Sequence, residues 1–292
     1  MTISIPEQLK TAFPARAPDM HKYAAGAVFA AGGSERFPNA PAIAALGARA
    51  AGAGLVRLWA PEPSRLSAAV LVPEATFAAG AGGEDFSRAD AVVAGMGLDT
   101  RAKETVAQIL SSTARRVVFD ADALGALAAA ECGGLSSGGD GFREAIVTPH
   151  SGEAARMLGC GAKDVDADRD GAAEALRLKF GATVVLKGRR TIVLSRDGAD
   201  RFVCGAGNPF MAAGGSGDLL AGAIAARFAR LARAGTVQSQ TRAAFLAAAS
   251  AVWLHAAAAD SLVAQDMPCE PCAANLAARM ASIRIILERS PE

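Results

Sequence analysis

The sequence predicts a single α/β domain, residues 1–292, built on a mostly parallel central sheet with helices on both faces. Three observations carry this. Short apolar runs of strand length alternate with longer helical patterns along nearly the whole chain, and repeated strand–helix units bury a parallel sheet on both sides. Gly33, Gly97, Asp120, His150 and Lys187 each fall at or just past the end of such a run, where open parallel sheets bind their ligands. Finally, Gly214-Gly215-Ser216-Gly217-Asp218 leads into an alanine-rich run beginning at Leu219, the pattern of a loop that opens a helix.

The elements follow in order. Residues 1–20 read as an N-terminal extension that packs on the body. Residues 27–31 form a strand ended by Gly32-Gly33-Ser34, a run followed by a turn signal. Residues 40–53 are helical by composition, closed by Gly52 and Gly54. The strand at 55–60 is stopped by Pro61 and Pro63; a helix from Ser64 and a short strand near Leu71 come next. A buried strand at 91–94 runs into Gly95-Met96-Gly97, and a helix covers 100–110. Strand 116–120 precedes helix 122–130, and a Gly/Ser loop fills 133–141. Strand 145–148 leads into Pro149-His150-Ser151-Gly152-Glu153 and a helix, with a further helix at 165–180. Strands at 183–187 and 191–194 flank a tight Gly188-Arg189-Arg190 turn. Three helices close the chain near 219–234, 242–260 and 273–287.

Bulk properties exclude several classes. Lys+Arg 30 against Asp+Glu 29 gives a net charge of +1, so no field favours nucleic acid or an acidic membrane surface. The N-terminus lacks the charged start and apolar core of a signal peptide. The longest apolar run, 243–259, is mostly alanine and contains His255; a buried or interface helix fits it better than a membrane span. Five cysteines, an odd number in a long chain, argue against a disulfide framework and for a reducing, cytoplasmic setting. Cys269-Glu270-Pro271-Cys272 copies one half of the zinc deaminase signature, but none of His21, His150 and His255 has Glu two positions on. Two cysteines at a helix start are the better reading, and no site made of protein groups alone is expected for a metal.

The glycine loop carries the chemistry. Without Cβ atoms the backbone can approach a ligand closely. Free N–H groups of a first helical turn suit an anion such as phosphate. Asp218 adds negative charge there, which makes sense for a base that takes a proton from a hydroxyl undergoing phosphorylation; a helix N-cap is the plainer alternative. No Lys follows the glycines, so this is not a Walker A loop. Asp218 stands where the hydrolase elbow needs Gly, so Ser216 reads as a small loop residue.

Eight stretches carry a resemblance; the first four, taken in order, are His21-Lys22 with Gly32-Gly33-Ser34, 51–56 (Ala-Gly-Ala-Gly-Leu-Val), 95–98 (Gly-Met-Gly-Leu) and 120–124 (Asp-Ala-Asp-Ala-Leu). Thr148-Pro149-His150-Ser151-Gly152-Glu153, 187–191, Gly207-Asn208-Pro209 and Gly214-Gly215-Ser216-Gly217-Asp218 are the other four. Together they resemble the ADP- or ATP-dependent NAD(P)H-hydrate dehydratases of the ribokinase-like superfamily, over about residues 21–260. T-P-H-x-G-E combined with N-P…G-G-x-G-D is the specific part.

The resemblance implies a ribokinase-like fold and use of ADP (in bacteria) or ATP (in eukaryotes), with Mg2+, to remove water from hydrated NADH or NADPH. The terminal phosphoryl group goes to the C6 hydroxyl and phosphate is then lost. It implies that Asp218 contacts that hydroxyl and acts as base. Gly215, Ser216 and Gly217 form the anion hole, with Gly217 touching the nucleotide. Lys187, Gly188, Arg189, Arg190 and Thr191 line its base and ribose. Ala42, Gly97 and His150 contact the hydrated cofactor, and Asp120 and Glu153 orient magnesium and water. Each has a plainer reading: an exposed loop histidine for His150, a helix-start acid for Glu153, an N-cap for Asp122, a solvated strand end for Lys187, and a turn glycine for Gly97.

Many relatives carry an N-terminal epimerase domain; residues 1–20 are too short for one, so epimerase activity is not expected. A homo-oligomer is expected, with the alanine-rich helix 242–260 as a close-packing interface. Two other functions compete: a thiazole- or pyrimidine-type small-molecule kinase of the same superfamily, against which T-P-H-x-G-E argues, and a nucleotide sensor, against which Asp218 argues.

Overall fold

The computed structural model describes residues 4–78, 86–130, 135, 137–138, 141–264 and 268–289. Its strands are β1 (Ala27–Ala31), β2 (Leu55–Trp59), β3 (Thr76–Phe77), β4 (Ala91–Ala94), β5 (Arg116–Phe119), β6 (Ser137–Gly138), β7 (Gly141–Phe142), β8 (Glu144–Val147), β9 (Thr183–Leu186), β10 (Ile192–Leu194) and β11 (Arg201–Val203). The α-helices are α1 (Ala40–Ala50), α2 (Glu62–Leu71), α3 (Ala102–Ser111), α4 (Asp122–Ala129), α5 (Ser151–Leu158), α6 (Ala162–Ala167), α7 (Arg169–Phe180), α8 (Ser216–Ala234), α9 (Gln240–Val263) and α10 (Ala273–Leu287).

Among the described residues nine strands form one sheet in the order β11-β10-β9-β8-β5-β4-β1-β2-β3. The pairs from β3 to β9 are parallel, and β10 and β11 add antiparallel to that edge. Period-2 alternation sorts each strand between two cores. Val28, Ala30, Val93 and Val118 join α1, α8 and α9 on one face, while Phe29, Ala31, Val92 and Phe119 join α3, α4, α5 and α7 on the other. Strand order reverses at β1, between β2 and β4. Gly33 and Gly97 end the two strands at this switch point, the crevice where such sheets take ligands.

Several boundaries differ from the sequence reading. Leu71 ends α2, and the short strand comes later, at Thr76–Phe77. The helix expected over 165–180 is two. Asp168 leaves helical geometry (φ −136°) and its carboxylate accepts the Gly171 N–H at 2.8 Å, capping α7. Of the loop at 133–141, residues 133–134, 136 and 139–140 lie outside the described residues, and 137–138 pair with 141–142. β11 was not anticipated. Cys272 N-caps α10 and Cys269 Sγ accepts from the Asn275 amide at 3.0 Å; neither joins a metal-like cluster among the described residues.

α9 is long and apolar enough to cross a membrane, yet most of it is buried. It runs between α8, α10 and the sheet, with Ala244 and Ala247–Ala249 fully covered. That burial corrects the expectation of a subunit interface: the small side chains serve close packing inside the chain. α1 and α8 meet still more closely. A Cβ on Gly47 would strike the Leu219 carbonyl, and one on Gly222 the Ala44 carbonyl, so the two backbones are in contact.

Candidate active site

The glycine loop stands at the start of α8. Gly215 adopts φ +84°, a left-handed conformation that glycine reaches without strain. A side chain there would press on Ile43 Cδ1 at 2.8 Å. The Gly215 carbonyl accepts the Leu219 N–H at 3.0 Å, which fixes the helix start. The N–H groups of Gly217 and Asp218 find no acceptor among the described residues. A helix N-terminus with free donors and a positive dipole end is an anion cradle.

α9 holds this loop from behind. Asp260 accepts the Gly207 N–H at 2.8 Å and the Asn208 side-chain amide at 2.9 Å, and Asn208 Oδ1 accepts the Phe210 N–H at 3.1 Å. Ser216 Oγ and His255 Nε2 share a hydrogen bond at 3.3 Å. Burial pushes the His255 pKa down to about 4, so it meets Ser216 as a neutral ring. Asp260 was missed in the sequence; the available signal was polar residues interrupting an alanine run. Asp260→Ala is expected to lower kcat/KM by roughly 10–100-fold through misplacement of the loop, with helix content by circular dichroism unchanged. Wild-type kcat/KM would show that the loop positions itself.

Opposite the cradle is a buried charge cluster. Lys187 Nζ donates to Asp120 Oδ1 at 2.6 Å and lies 3.8 Å from Glu153 Oε2. Thr148 Oγ1 also donates to Asp120 Oδ1, at 2.6 Å. A Cβ on Gly217 would sit 3.5 Å from the Lys187 ammonium, which places that charge beside the glycine loop. Burial disfavours a charged Lys187, but Asp120 and Glu153 outweigh it and hold its pKa above the ordinary value. Asp218 faces the same cluster. Burial, then the negative charge of Asp120, pushes its pKa up to about 7 against the opposing pull of Lys187. No described residue donates a hydrogen bond to its carboxylate. A carboxylate of that pKa, with unclaimed oxygens, is suited to accept a proton near neutral pH.

The remaining expected residues divide. His150 N-caps α5: its Nδ1 accepts the N–H groups of Gly152 and Glu153, and Glu153 Oε2 accepts the His150 N–H at 2.8 Å. This reciprocal capping box accounts for both residues structurally, while the rest of the His150 ring stays exposed. Gly97 (φ +63°) packs so tightly that a Cβ would lie 2.5 Å from Phe37 Cβ. Ala42 is fully buried in α1 and presents no surface to a ligand; the half-buried Ile43 is the residue that meets the glycine loop. Asp122 is not an N-cap. Ala121 holds that place at φ +48°, and Asp122 Oδ2 accepts the Asp99 N–H at 2.8 Å. Asp99 is also at positive φ, +53°, so two strained residues flank the switch-point crevice. Lys187 turns inward to Asp120, beside the glycine loop. Gly188, Arg189 and Arg190 form an exposed turn with Arg190 at φ +59°, and Thr191 Oγ1 closes it on the Gly188 carbonyl at 3.0 Å.

Asp120 and Glu153 do not fit direct coordination of a divalent ion, because the ammonium of Lys187 already sits between them. No group of three or more metal-ligating side chains occurs among the described residues.

A family model described as NAD(P)H-hydrate dehydratase matches residues 28–280. The chain is 39% identical over 255 residues to the ADP-dependent (S)-NAD(P)H-hydrate dehydratase of Neisseria meningitidis serogroup B, covering 85% of this chain and 81% of that protein. It is 35% identical over 273 residues to a bifunctional NAD(P)H-hydrate repair enzyme of Gloeobacter violaceus, covering 89% of this chain and 50% of that one. The chain thus spans about half the length of its bifunctional relatives. Its fold matches the ADP/ATP-dependent NAD(P)H-hydrate dehydratase from Bacillus subtilis co-crystallized with ATP/Mg2+, with a TM-score of 0.78, 25% identity and 96% of each chain covered. A ribokinase-like superfamily protein from Enterococcus faecalis V583 gives a TM-score of 0.78 at 22% identity, over 97% of this chain and 95% of that one. The fold is therefore ribokinase-like.

Proposed function

Because the chain belongs to the NAD(P)H-hydrate dehydratase family, we propose that it uses ADP or ATP to dehydrate hydrated NADH or NADPH, restoring the nicotinamide cofactor. The observation that carries this reading is Asp218: a carboxylate with its pKa pushed up to about 7, at the mouth of an anion cradle.

Hydroxide is a poor leaving group at neutral pH and a phosphate ester a good one. Asp218 takes the proton of the ring hydroxyl as its oxygen bonds to the terminal phosphorus and the bond to the remaining nucleotide breaks. The free N–H groups of Gly217 and Asp218 hold the phosphoryl oxygens through this transfer, which asks a protein mostly for position and charge. The Lys187 ammonium, fixed by Asp120 and Glu153, balances negative charge beside Gly217. The C–O bond then breaks, phosphate leaves with the electron pair, and loss of a proton from the adjacent ring carbon restores the double bond. Phe37 beside Gly97 and Phe210 beside the glycine loop are both exposed and offer aromatic faces to planar ligand rings. Magnesium would be held by the phosphates of a bound nucleotide rather than by Asp120 and Glu153, whose carboxylates face the Lys187 ammonium, and would supply charge neutralisation.

The test is incubation of the protein with hydrated NADH and ADP, then ATP, following the near-ultraviolet absorbance of the reduced nicotinamide. A rise is expected. Flat absorbance with both nucleotides, alongside a stable phosphorylated product from another alcohol, would replace the dehydratase with a kinase.

A further inference from the structure

Two stretches that the active site leaves unused, His21-Lys22 and Gly52-Ala53-Gly54, meet at the amino ends of β1 and β2, where the Gly54 N–H donates to the Gly26 carbonyl at 2.9 Å. The active cleft lies past the carboxyl ends of the sheet, about 15 Å away at the rise of a five-residue strand. Between these stretches and α10 is a cavity of about 230 Å³. Arg16, His21, Lys22, Arg49 and Arg284 line it, and among the described residues no carboxylate does.

The charge behind this wall is also positive. Glu288 is the carboxylate that answers it, and it is shared: Arg16 Nε reaches Oε2 at 3.1 Å, Arg284 Nη1 reaches Oε2 at 2.7 Å, and Arg227 Nη1 takes Oε1. Arg230 and Arg49 lean on backbone carbonyls, of Ala15 and Ala53. Arg284 is 8% exposed. It gives Nε to the Ala50 carbonyl and Nη1 to Glu288, while its Nη2 has no acceptor among the described residues. Gly52, at φ +106°, allows the wall to close: a Cβ there would lie 3.0 Å from Arg16 Nη2 and 3.1 Å from Arg284 Cδ. A buried guanidinium without a full counter-charge is unfavourable, and its fork of donors matches phosphate oxygens.

We propose that this pocket is a second ligand site that takes a phosphate-class anion, either free phosphate or the diphosphate of a larger molecule. The inference does not depend on the reaction proposed above.

The test separates the two sites by position. Tungstate, a phosphate-like oxyanion located by its anomalous X-ray scattering, is soaked into crystals of the wild type and of the Lys22→Gln, Arg49→Gln double variant. A peak beside Arg49 and Arg284 is expected in the wild type and none in the variant. In solution, calorimetry with sodium pyrophosphate should give one binding equivalent more per chain for the wild type than for the variant, whose circular dichroism spectrum and Tm stay those of the wild type. Sodium phosphate run in parallel reads whether one phosphoryl group suffices or two are needed, and tight binding of either supports the site. Tungsten at the glycine loop alone, a pocket peak that survives in the double variant, or equal pyrophosphate equivalents in the two proteins would overturn it.

Discussion

Asp218→Asn is expected to lower turnover by about 10²–10⁴-fold, the range that removal of a general base produces, while making the protein more stable at neutral pH. The two effects share one cause. Burial and the neighbouring Asp120 push the Asp218 pKa from 3.8 up to about 7, so its charged form is held in the fold at a cost. Between those values the folded chain binds more protons than the unfolded one, and stability falls as pH rises through that window. Above it the cost is complete, and below pH 4 it is absent. Asn removes the charge at nearly constant shape, so the variant should gain about 1–3 kcal/mol at pH 8, a gain that shrinks towards pH 4. Thermal unfolding at both pH values measures it. In the wild type, kcat/KM should climb through about pH 7 and level off as the base ionises; the variant should lack that rise. Nucleotide affinity should stay near normal, because the N–H cradle is untouched. Full turnover in the variant would remove Asp218 from the chemistry.

Glu288→Ala should be the most destabilising single change. It leaves Arg227, which is fully buried, and Arg284 and Arg16 without their shared carboxylate. Breaking a buried ion pair from one side costs about 3–5 kcal/mol, which for a chain of this size lowers Tm by roughly 10 °C. The cost falls on a junction: Arg227 also donates to the Ala12 and Ala51 carbonyls, and Arg284 to that of Ala50. The variant therefore loosens the N-terminal segment, the end of α1 and α10 together. Burial raises the Glu288 pKa, but Arg227 and Arg284 overcome it and hold the group below its ordinary value. Its stabilisation is thus complete above the ordinary carboxylate pKa and is lost as pH falls through the depressed one. Urea titrations at neutral and acid pH should show the gap between wild type and variant closing in acid. A gap that stays constant with pH would assign the effect to packing alone.

Much of the fold was legible because it rests on local patterns. Alternating apolar runs named eight of the nine strands of the main sheet to within a few residues, the short one near Leu71 misplaced, and strand ends gathered Gly33, Gly97, Asp120, His150 and Lys187. What escaped depends on contacts between distant parts of the chain. Asp168 split a helix by capping with its own side chain, a choice that competes with helix continuation inside one stretch. β11 is three residues long and is a strand only because β10 pairs with it. Ala42 was assigned to a ligand, but helix phase turns it to the core and Ile43 to the loop. Lys187 finds its place through Asp120, 67 positions earlier, and Asp260 through Asn208, 52 positions earlier; no spacing rule reveals either.

The contact between α1 and α8 limits how this protein can be altered. Asp218 and its N–H neighbours stand one turn from Gly222, so the amino end of the helix takes its placement from two missing side chains at 47 and 222. A single methyl at either place would shift Asp218 relative to Lys187 without altering either side chain. Efforts to change what the proposed cleft accepts therefore belong at Phe37 and Phe210, exposed side chains that take no part in this contact.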